Sequence, residues 1–125
     1  MNDKEIMLNK KIWAVAGANQ NSAKFGNKIY RKLKEKGYEV YAINPMYDNV
    51  EGAICYKNIS SMPKVPEVLN MVVSPERAVP LIKEAADLGV PYIWFQPDTY
   101  NNEILQLTRK LGIIAVKDCV LVALS

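Results

Sequence analysis

Small and polar residues follow the first apolar run of the sequence, in residues 17–24, which read GANQNSAK. A loop of this kind ahead of a helix offers unpaired backbone N–H groups and the positive end of the helix dipole, which together bind anions such as phosphate. Gly17 leaves room for a ligand, Asn19 and Ser22 add neutral hydrogen-bonding groups, and Lys24 adds a positive charge. We therefore predict that this loop binds phosphate through Gly17, Ala18, Asn19, Ser22 and Lys24. The competing interpretation is a plain tight turn at Gly17 with Ser22 as a helix cap.

Three further strand ends carry residues that could contact a nucleotide. Asn44 and Pro45 follow the second apolar run, and Gln96 ends a later run, YIWFQ, where its amide is expected to point into a cleft. Ligands of doubly wound sheets bind at the carboxyl ends of the strands, near the topological switch point. Val73, Ser74 and Pro75 could form an apolar ledge and a helix N-terminus beside an adenine, although the same signature is typical of an ordinary capped helix.

The residues at these strand ends do not match a dinucleotide site. The fingerprint GxGxxG is absent, because the first loop reads GANQNSAKFG. An NAD site favours an acidic residue after the second strand and an NADP site favours a nearby arginine, whereas this chain has Asn44, Pro45, Met46 and Tyr47 there. The uncharged residues after the second strand would tolerate a nucleotide with an extra phosphate on its ribose, but they would not select one. An NAD(H)-binding redox sensor or oxidoreductase-like domain remains the alternative hypothesis.

The chain offers little that could perform catalysis. It contains no histidine, and its two cysteines, Cys55 and Cys119, form no CxxC pair. A nucleophilic cysteine needs a nearby base or cation to lower its pKa, so we interpret Cys119 as a buried structural thiol. Asp98, Glu103 and Asp118 show no paired spacing suited to acid–base work. We therefore expect a non-catalytic protein with no metal site.

Short apolar runs alternate with helix-period segments, which indicates a parallel sheet with crossover helices. We predict an α/β, Rossmann-like, doubly wound and mainly parallel sheet of five to six strands with helices on both faces. Phe25, Ile29 and Leu33 recur at four-residue spacing as the expected buried stripe of the first main helix, and Trp13, Trp94 and Phe95 are expected in the core. The predicted strands are residues 12–16, 39–43, 54–56, 68–73, 92–96 and 113–116, and the predicted helices end near residues 36, 88 and 111.

Length and composition limit the possible classes of protein. The 125 residues are 50% hydrophobic and 23% charged, which is typical of one globular domain over residues 1–125. The net charge is +3, and the mild basic cluster at residues 24–36 indicates a solvated helix face rather than a nucleic-acid surface. No apolar run approaches the roughly 20 residues that span a bilayer, and no signal peptide is evident. We expect a reduced, cytoplasmic protein that does not bind membranes or nucleic acids.

At these strand ends the sequence resembles the small stand-alone coenzyme A-binding domain proteins, which are similar to the nucleotide-binding domain of the succinyl-CoA synthetase alpha subunit. The resemblance extends from about residue 11 to residue 121 and rests on AVAGANQNSAKFGNKIYRKLKEKGYEVYAINP, EGAICYKNISSMP, MVVSPERAVPLIKEAADLGV, IWFQP and GIIAVKDC. It implies that the Gly17 loop meets the phosphates of coenzyme A and that Asn44, Pro45, Val73, Ser74 and Pro75 flank the adenine.

The chain also departs from that family. Gln96, Pro97 and Asp98 stand where the family often has a glycine, so the loop there is expected to differ in shape. The synthetase mechanism passes through a phosphohistidine on a separate domain, and this chain has no histidine. The resemblance thus implies binding of coenzyme A or an acyl-CoA, with a protein partner or a homo-oligomer as further possibilities. A third hypothesis is an interaction domain whose cleft no longer binds a nucleotide.

Overall fold

A computed structural model describes residues 1–125 and contains seven β-strands in one sheet. The first two strands coincide with the predicted ones because each is a short apolar run bounded by glycine or asparagine. The strands are β1 Ile12–Ala16, β2 Glu39–Ile43, β3 Asn49–Val50, β4 Ala53–Tyr56, β5 Val68–Met71, β6 Tyr92–Phe95 and β7 Ile114–Lys117.

The strand order is β3-β4-β2-β1-β5-β6-β7, and every pair is parallel except β3 with β4. The Rossmann-like fold class is confirmed, although the sheet has seven strands rather than five or six. The additional strand is the two-residue β3, which pairs with β4 through the turn at Gly52. From β1 the chain proceeds outward on one side to β2 and β4, then crosses to β5 on the other side. The topological switch point therefore lies between β1 and β5.

Helices cover both faces of the sheet, as the uninterrupted apolar strands predict. One face packs against α3 and α4, and the other against α1, α2 and α5. None of these helices is both long and apolar enough to cross a bilayer. Their bounds are α1 Asp3–Leu8, α2 Phe25–Glu35, α3 Pro75–Asp87, α4 Asn102–Lys110 and α5 Val120–Ala123, and a single 3-10 turn covers Ile59–Ser61.

The core consists of two clusters, one on each face of the sheet. Trp13 and Trp94 are fully buried on the α2 face, where their ring centroids lie 5.8 Å apart, and Phe95 is fully buried on the α3 face. The prediction that these three aromatic residues belong to the core is confirmed.

Phe25 of the predicted stripe and Leu111 at the predicted end of the last main helix are exposed. Phe25 is 62% exposed although the next residue, Gly26, packs against the end of β1, whereas Ile29 and Leu33 further along α2 are fully buried. Leu111 is exposed because it lies at the C-cap of α4 rather than inside that helix. The short helix α5, which the sequence analysis did not predict, packs against the α2 face through Val120.

Candidate ligand-binding site

A cavity of about 810 Å³ opens where β1, β2, β4 and β5 end. Its floor is apolar and is formed by Ala16 at the end of β1, Ile43 at the end of β2, and Val72 and Val73 just after β5. We call this space the strand-end cavity. Its volume lies in the range of about 300–1,000 Å³ that is common for sites binding small molecules and cofactors.

Gly17 lines the strand-end cavity, but its role differs from the predicted one. Its φ is +99°, and a Cβ added there would lie 3.0 Å from Val73 Cγ1 and 3.1 Å from the Val72 carbonyl. The space beside Gly17 is therefore filled by the chain that leaves β5 and is not left open for a ligand. Gly26, in the first turn of α2, has less space still, since its Cβ would lie 1.9 Å from the Gly17 carbonyl oxygen. The two glycines allow β1, α2 and β5 to meet closely at the switch point.

Buried amide groups hold the loop between β1 and α2 in one shape. The fully buried Asn27 donates from Nδ2 to the Asn19 carbonyl at 2.8 Å and to Glu51 Oε2 at 3.1 Å. Its Oδ1 accepts from Arg31 Nε at 2.6 Å, and Asn19 Oδ1 accepts from the Asn21 N–H at 2.8 Å. The loop therefore depends on Asn27, which the sequence analysis did not single out.

The structure brings only part of the predicted phosphate loop to the strand-end cavity. Gly17 and Asn19 line it, whereas Ala18 is fully buried and offers only its carbonyl oxygen, which accepts from Asn44 Nδ2 at 2.8 Å. Ser22 and Lys24 are exposed and do not line the cavity. Lys24 occupies the N-cap position of α2, and its side chain makes no capping hydrogen bond.

The segment after β2 forms one lip of the strand-end cavity through Asn44, Pro45 and Met46. The Asn44 side chain is held by two hydrogen bonds: its Nδ2 donates to the Ala18 carbonyl and its Oδ1 accepts from the Met46 N–H at 2.9 Å. Met46 is 76% exposed, so its thioether side chain is an apolar surface at the opening.

Helix α3 forms the facing wall. Ser74 stands at the N-cap position and Pro75 is the first helical residue, as predicted. Ser74 lines the strand-end cavity, but Pro75 faces away from it. The Ser74 side chain makes no capping bond to the backbone. The pKa of Glu76 is lowered, first by a hydrogen bond from its own backbone N–H and second by one from the Ser74 hydroxyl.

Three charged side chains line the strand-end cavity, and none of them was given a role from the sequence: Lys57, Arg77 and Glu84. Arg77 and Glu84 are seven residues apart on α3, with Leu81 between them on the same face. This i, i+4, i+7 spacing is the signal that could have found them, since it places all three side chains on one side of a helix.

Two of these three charges have partners. Lys57 Nζ lies 3.0 Å from Asp48 Oδ1 and donates to the Tyr47 carbonyl at 3.0 Å. The Glu84 carboxylate accepts from the backbone N–H groups of Ile59 at 3.0 Å and Ser60 at 3.3 Å.

Arg77 is the charged residue of the cavity without a partner. It is exposed and forms no ion pair and no side-chain hydrogen bond. The strand-end cavity therefore carries one positive charge that no protein group compensates.

Gln96 does not reach the strand-end cavity, so the expectation that its amide points into the cleft is wrong. It is 4% exposed, its Oε1 accepts from the Val120 N–H at 2.9 Å, and its Nε2 lies 3.5 Å from Cys119 Sγ. The amide is used to hold the start of α5. Cys119 is half-buried beside it. No group of three or more His, Cys, Asp or Glu side chains is arranged to hold a metal ion.

A smaller groove of about 340 Å³ lies between α3 and α4. Its rim carries the carboxylates of Glu76 and Glu103, and its floor is apolar. Because both charged residues are acidic, this groove is poorly suited to a phosphate-bearing ligand.

Comparison with known proteins places the fold among small proteins and ligase domains. A hypothetical protein from Pyrococcus horikoshii OT3 has a solved structure that is 32% identical and superposes with a TM-score of 0.86 over 92% of this chain and 81% of that one. An acetyl-coenzyme A synthetase of Ca. Korarchaeum cryptofilum, solved with phosphate and ADP, is 27% identical with a TM-score of 0.80, over 93% of this chain and 27% of the synthetase.

A curated sequence relative is also a ligase. The ADP-forming acetate–CoA ligase I of Archaeoglobus fulgidus is 34% identical over 76 residues, which are 61% of this chain and 11% of the ligase. The chain thus corresponds to a small part of the ligases that it resembles.

The resemblance inferred from the strand-end motifs is confirmed at the level of the family. The model of the family described as CoA binding domain matches residues 11–125, which is nearly the whole chain. The chain therefore belongs to the CoA binding domain family.

Proposed function

We propose that this protein binds coenzyme A or an acyl-CoA in the strand-end cavity and acts as a ligand-binding module without catalysis of its own. The observation that carries the proposal is the cavity itself, which lies at the switch point of the sheet, has an apolar floor and contains the uncompensated charge of Arg77. Membership of the CoA binding domain family supports the choice of ligand.

The parts of the cavity match the parts of such a ligand. The exposed start of α3 carries the positive end of the helix dipole, and Arg77 in its first turn offers a guanidinium, so this end suits phosphate groups. Ile43, Val73 and Leu81 give apolar contact area for an adenine ring or an acyl chain. The end of β2 carries no acidic residue that would hold the ribose hydroxyls of NAD.

The side chains around the cavity support a binding role over a catalytic one. Cys119 does not line the cavity, and the Glu84 carboxylate is engaged by backbone N–H groups of the 3-10 turn. The chain has no histidine to act as a general base. We expect that incubation with acetyl-CoA releases no free thiol above the buffer control, and release at a catalytic rate would contradict the non-catalytic part of the proposal.

Isothermal titration calorimetry with coenzyme A and with NADH tests the ligand. It is preferable to tryptophan quenching, because Trp13 and Trp94 are fully buried and neither lines the cavity. We expect saturable binding of coenzyme A with one site per chain and weaker or no binding of NADH. Tight binding of NADH together with no heat from coenzyme A would contradict the proposal.

A blocking variant locates the binding site. Ser74→Phe places an aromatic ring at the opening of the strand-end cavity and should weaken coenzyme A binding by roughly tenfold or more. Gln106→Phe adds the same ring to the exposed side of α4, away from both grooves, and should leave affinity unchanged. Equal affinities for both variants would place the ligand elsewhere.

A further inference from the structure

Arg77 is the residue from which the selectivity of the strand-end cavity can be inferred. We propose that Arg77 is the phosphate anchor of this cavity, so that the site discriminates phosphorylated from unphosphorylated ligands through this one side chain. The inference rests on the proposed function and deepens it, because it names the group that recognises the ligand's charge.

The other cations near the strand ends are poor candidates for this role. Lys57 lines the cavity but is already paired with Asp48 and the Tyr47 carbonyl. Lys24 is exposed outside the cavity, at the N-cap position of α2. A cation that already has a carboxylate partner gains less from a phosphate than a free one does, because the carboxylate compensates part of its charge. Arg77 has no such partner.

The surroundings of Arg77 favour an anion at the same end of the cavity. Arg77 lies in the first turn of α3, at the positive end of the helix dipole. A guanidinium can bind two phosphate oxygens at once, which gives it geometric as well as electrostatic complementarity.

The opposite end of the cavity has a different character and gives the ligand a direction. Glu84 lies seven residues further along α3, about 10 Å away at the rise of an α-helix. A carboxylate there repels phosphate and accepts hydrogen bonds. The charged part of the ligand is therefore directed to the Arg77 end and its uncharged part to the Leu81 and Glu84 end.

Calorimetry with a series of ligands tests the proposal on the full chain. The ligands are coenzyme A, dephospho-coenzyme A, ADP and adenosine, and the proteins are wild type, Arg77→Gln and Lys83→Gln. Lys83 is the matched control because it is an exposed cation of the same helix that does not line the cavity. Thermal melts confirm that Arg77→Gln folds, as expected for an exposed side chain without partners.

We expect Arg77→Gln to weaken coenzyme A binding about 10- to 100-fold and to leave adenosine unchanged within about twofold, while Lys83→Gln changes neither. A loss for coenzyme A but not for dephospho-coenzyme A places the 3′-phosphate on Arg77. A loss for both places the diphosphate there. In either case the affinity difference between wild type and Arg77→Gln should shrink at high salt.

Two results would overturn the proposal: unchanged affinity of Arg77→Gln for every phosphorylated ligand, or an equal loss of adenosine binding. If wild type binds ADP through Arg77 but does not bind coenzyme A, the proposed function fails while the phosphate anchor stands. If wild type binds none of the phosphorylated ligands, both proposals are wrong.

Discussion

Two helices begin at the switch point of the sheet, and their first turns are built differently. The start of α2 follows β1 through a loop that is closed by internal hydrogen bonds, and Gly26 packs directly on the Gly17 carbonyl. The start of α3 follows β5 almost at once, and its first turn presents Ser74 and Arg77 to the strand-end cavity without internal partners for the guanidinium.

The two helix starts therefore have different roles: the α2 start sets the packing at the switch point, and the α3 start supplies a charge. The α2 start determines how closely β1, β5 and the helix approach one another. Most of its polar groups form hydrogen bonds within the protein. The α3 start leaves a cation available for a ligand. Polar groups without a protein partner therefore indicate where a phosphate would bind better than the number of polar residues in a loop does.

The largest effect should come from Gly26→Ala at the α2 start. Its Cβ would lie 1.9 Å from the Gly17 carbonyl oxygen, so either the helix or β1 must move. We expect a loss of unfolding free energy of about 3 kcal/mol or more, measured by urea denaturation. Gly112→Ala, whose Cβ would meet no atom within 4 Å, is the control and should cost only about 1 kcal/mol for its positive φ. Equal losses would show that close packing at Gly26 does not matter.

Asn27→Ala should have the next largest effect. It removes the buried donor that holds the Asn19 carbonyl and the acceptor for Arg31. We expect a loss of about 1–3 kcal/mol in unfolding free energy, together with weaker ligand binding because Asn19 lines the cavity. Thermal melts and calorimetry measure the two consequences separately. An unchanged melting temperature would mean that the loop keeps its shape without Asn27.

A smaller effect is expected from Glu76→Gln at the α3 start. The pKa of Glu76 is lowered in the folded protein, chiefly by the hydrogen bond from its own backbone N–H. A lowered pKa means that the ionised form adds stability at pH values above the unfolded pKa, and that this stability is lost as the pH falls through the folded pKa. Melting curves should show a slightly less stable variant at pH 7 and no difference below that lowered pKa. A difference that persists in acid would contradict this assignment.

The smallest effect should come from Lys24→Ala. The sequence analysis predicted that Lys24 contributes to phosphate binding, but the structure places it outside the strand-end cavity. We therefore expect calorimetry to show a change in coenzyme A affinity of less than about twofold, because a surface charge far from the ligand is screened by salt. A tenfold loss of coenzyme A affinity would show that the α2 start also contributes to phosphate binding.

The sequence predicted the framework well because its signals are local. Strand β1 is an uninterrupted apolar run, β2 is apolar after Glu39, and Ser74 followed by Pro75 marks the start of α3. The end of β5 was predicted two residues too late, since Val72 and Val73 are apolar. Val72 makes the last hydrogen bond to β1, from its N–H to the Ala16 carbonyl at 2.9 Å, and both residues pack beside Gly17, which is a long-range contact that composition does not reveal.

The candidate site was harder to predict because it depends on the directions of side chains. Gln96 is polar and ends a strand, yet its amide is taken by Val120 of the unpredicted helix α5. Lys24 and Arg77 are both cations near helix starts, and only the path of the chain decides which of them faces the strand ends. Such directions follow from tertiary packing, so periodicity alone could not assign them.

The most direct test of coenzyme A binding in the strand-end cavity is a map of backbone amide shifts by two-dimensional NMR as coenzyme A is added. We expect saturable shifts at the residues around the strand-end cavity, namely Gly17, Asn19, Asn44, Ser74 and Arg77. Shifts confined to the groove between α3 and α4, or no saturable shifts at any amide, would contradict it.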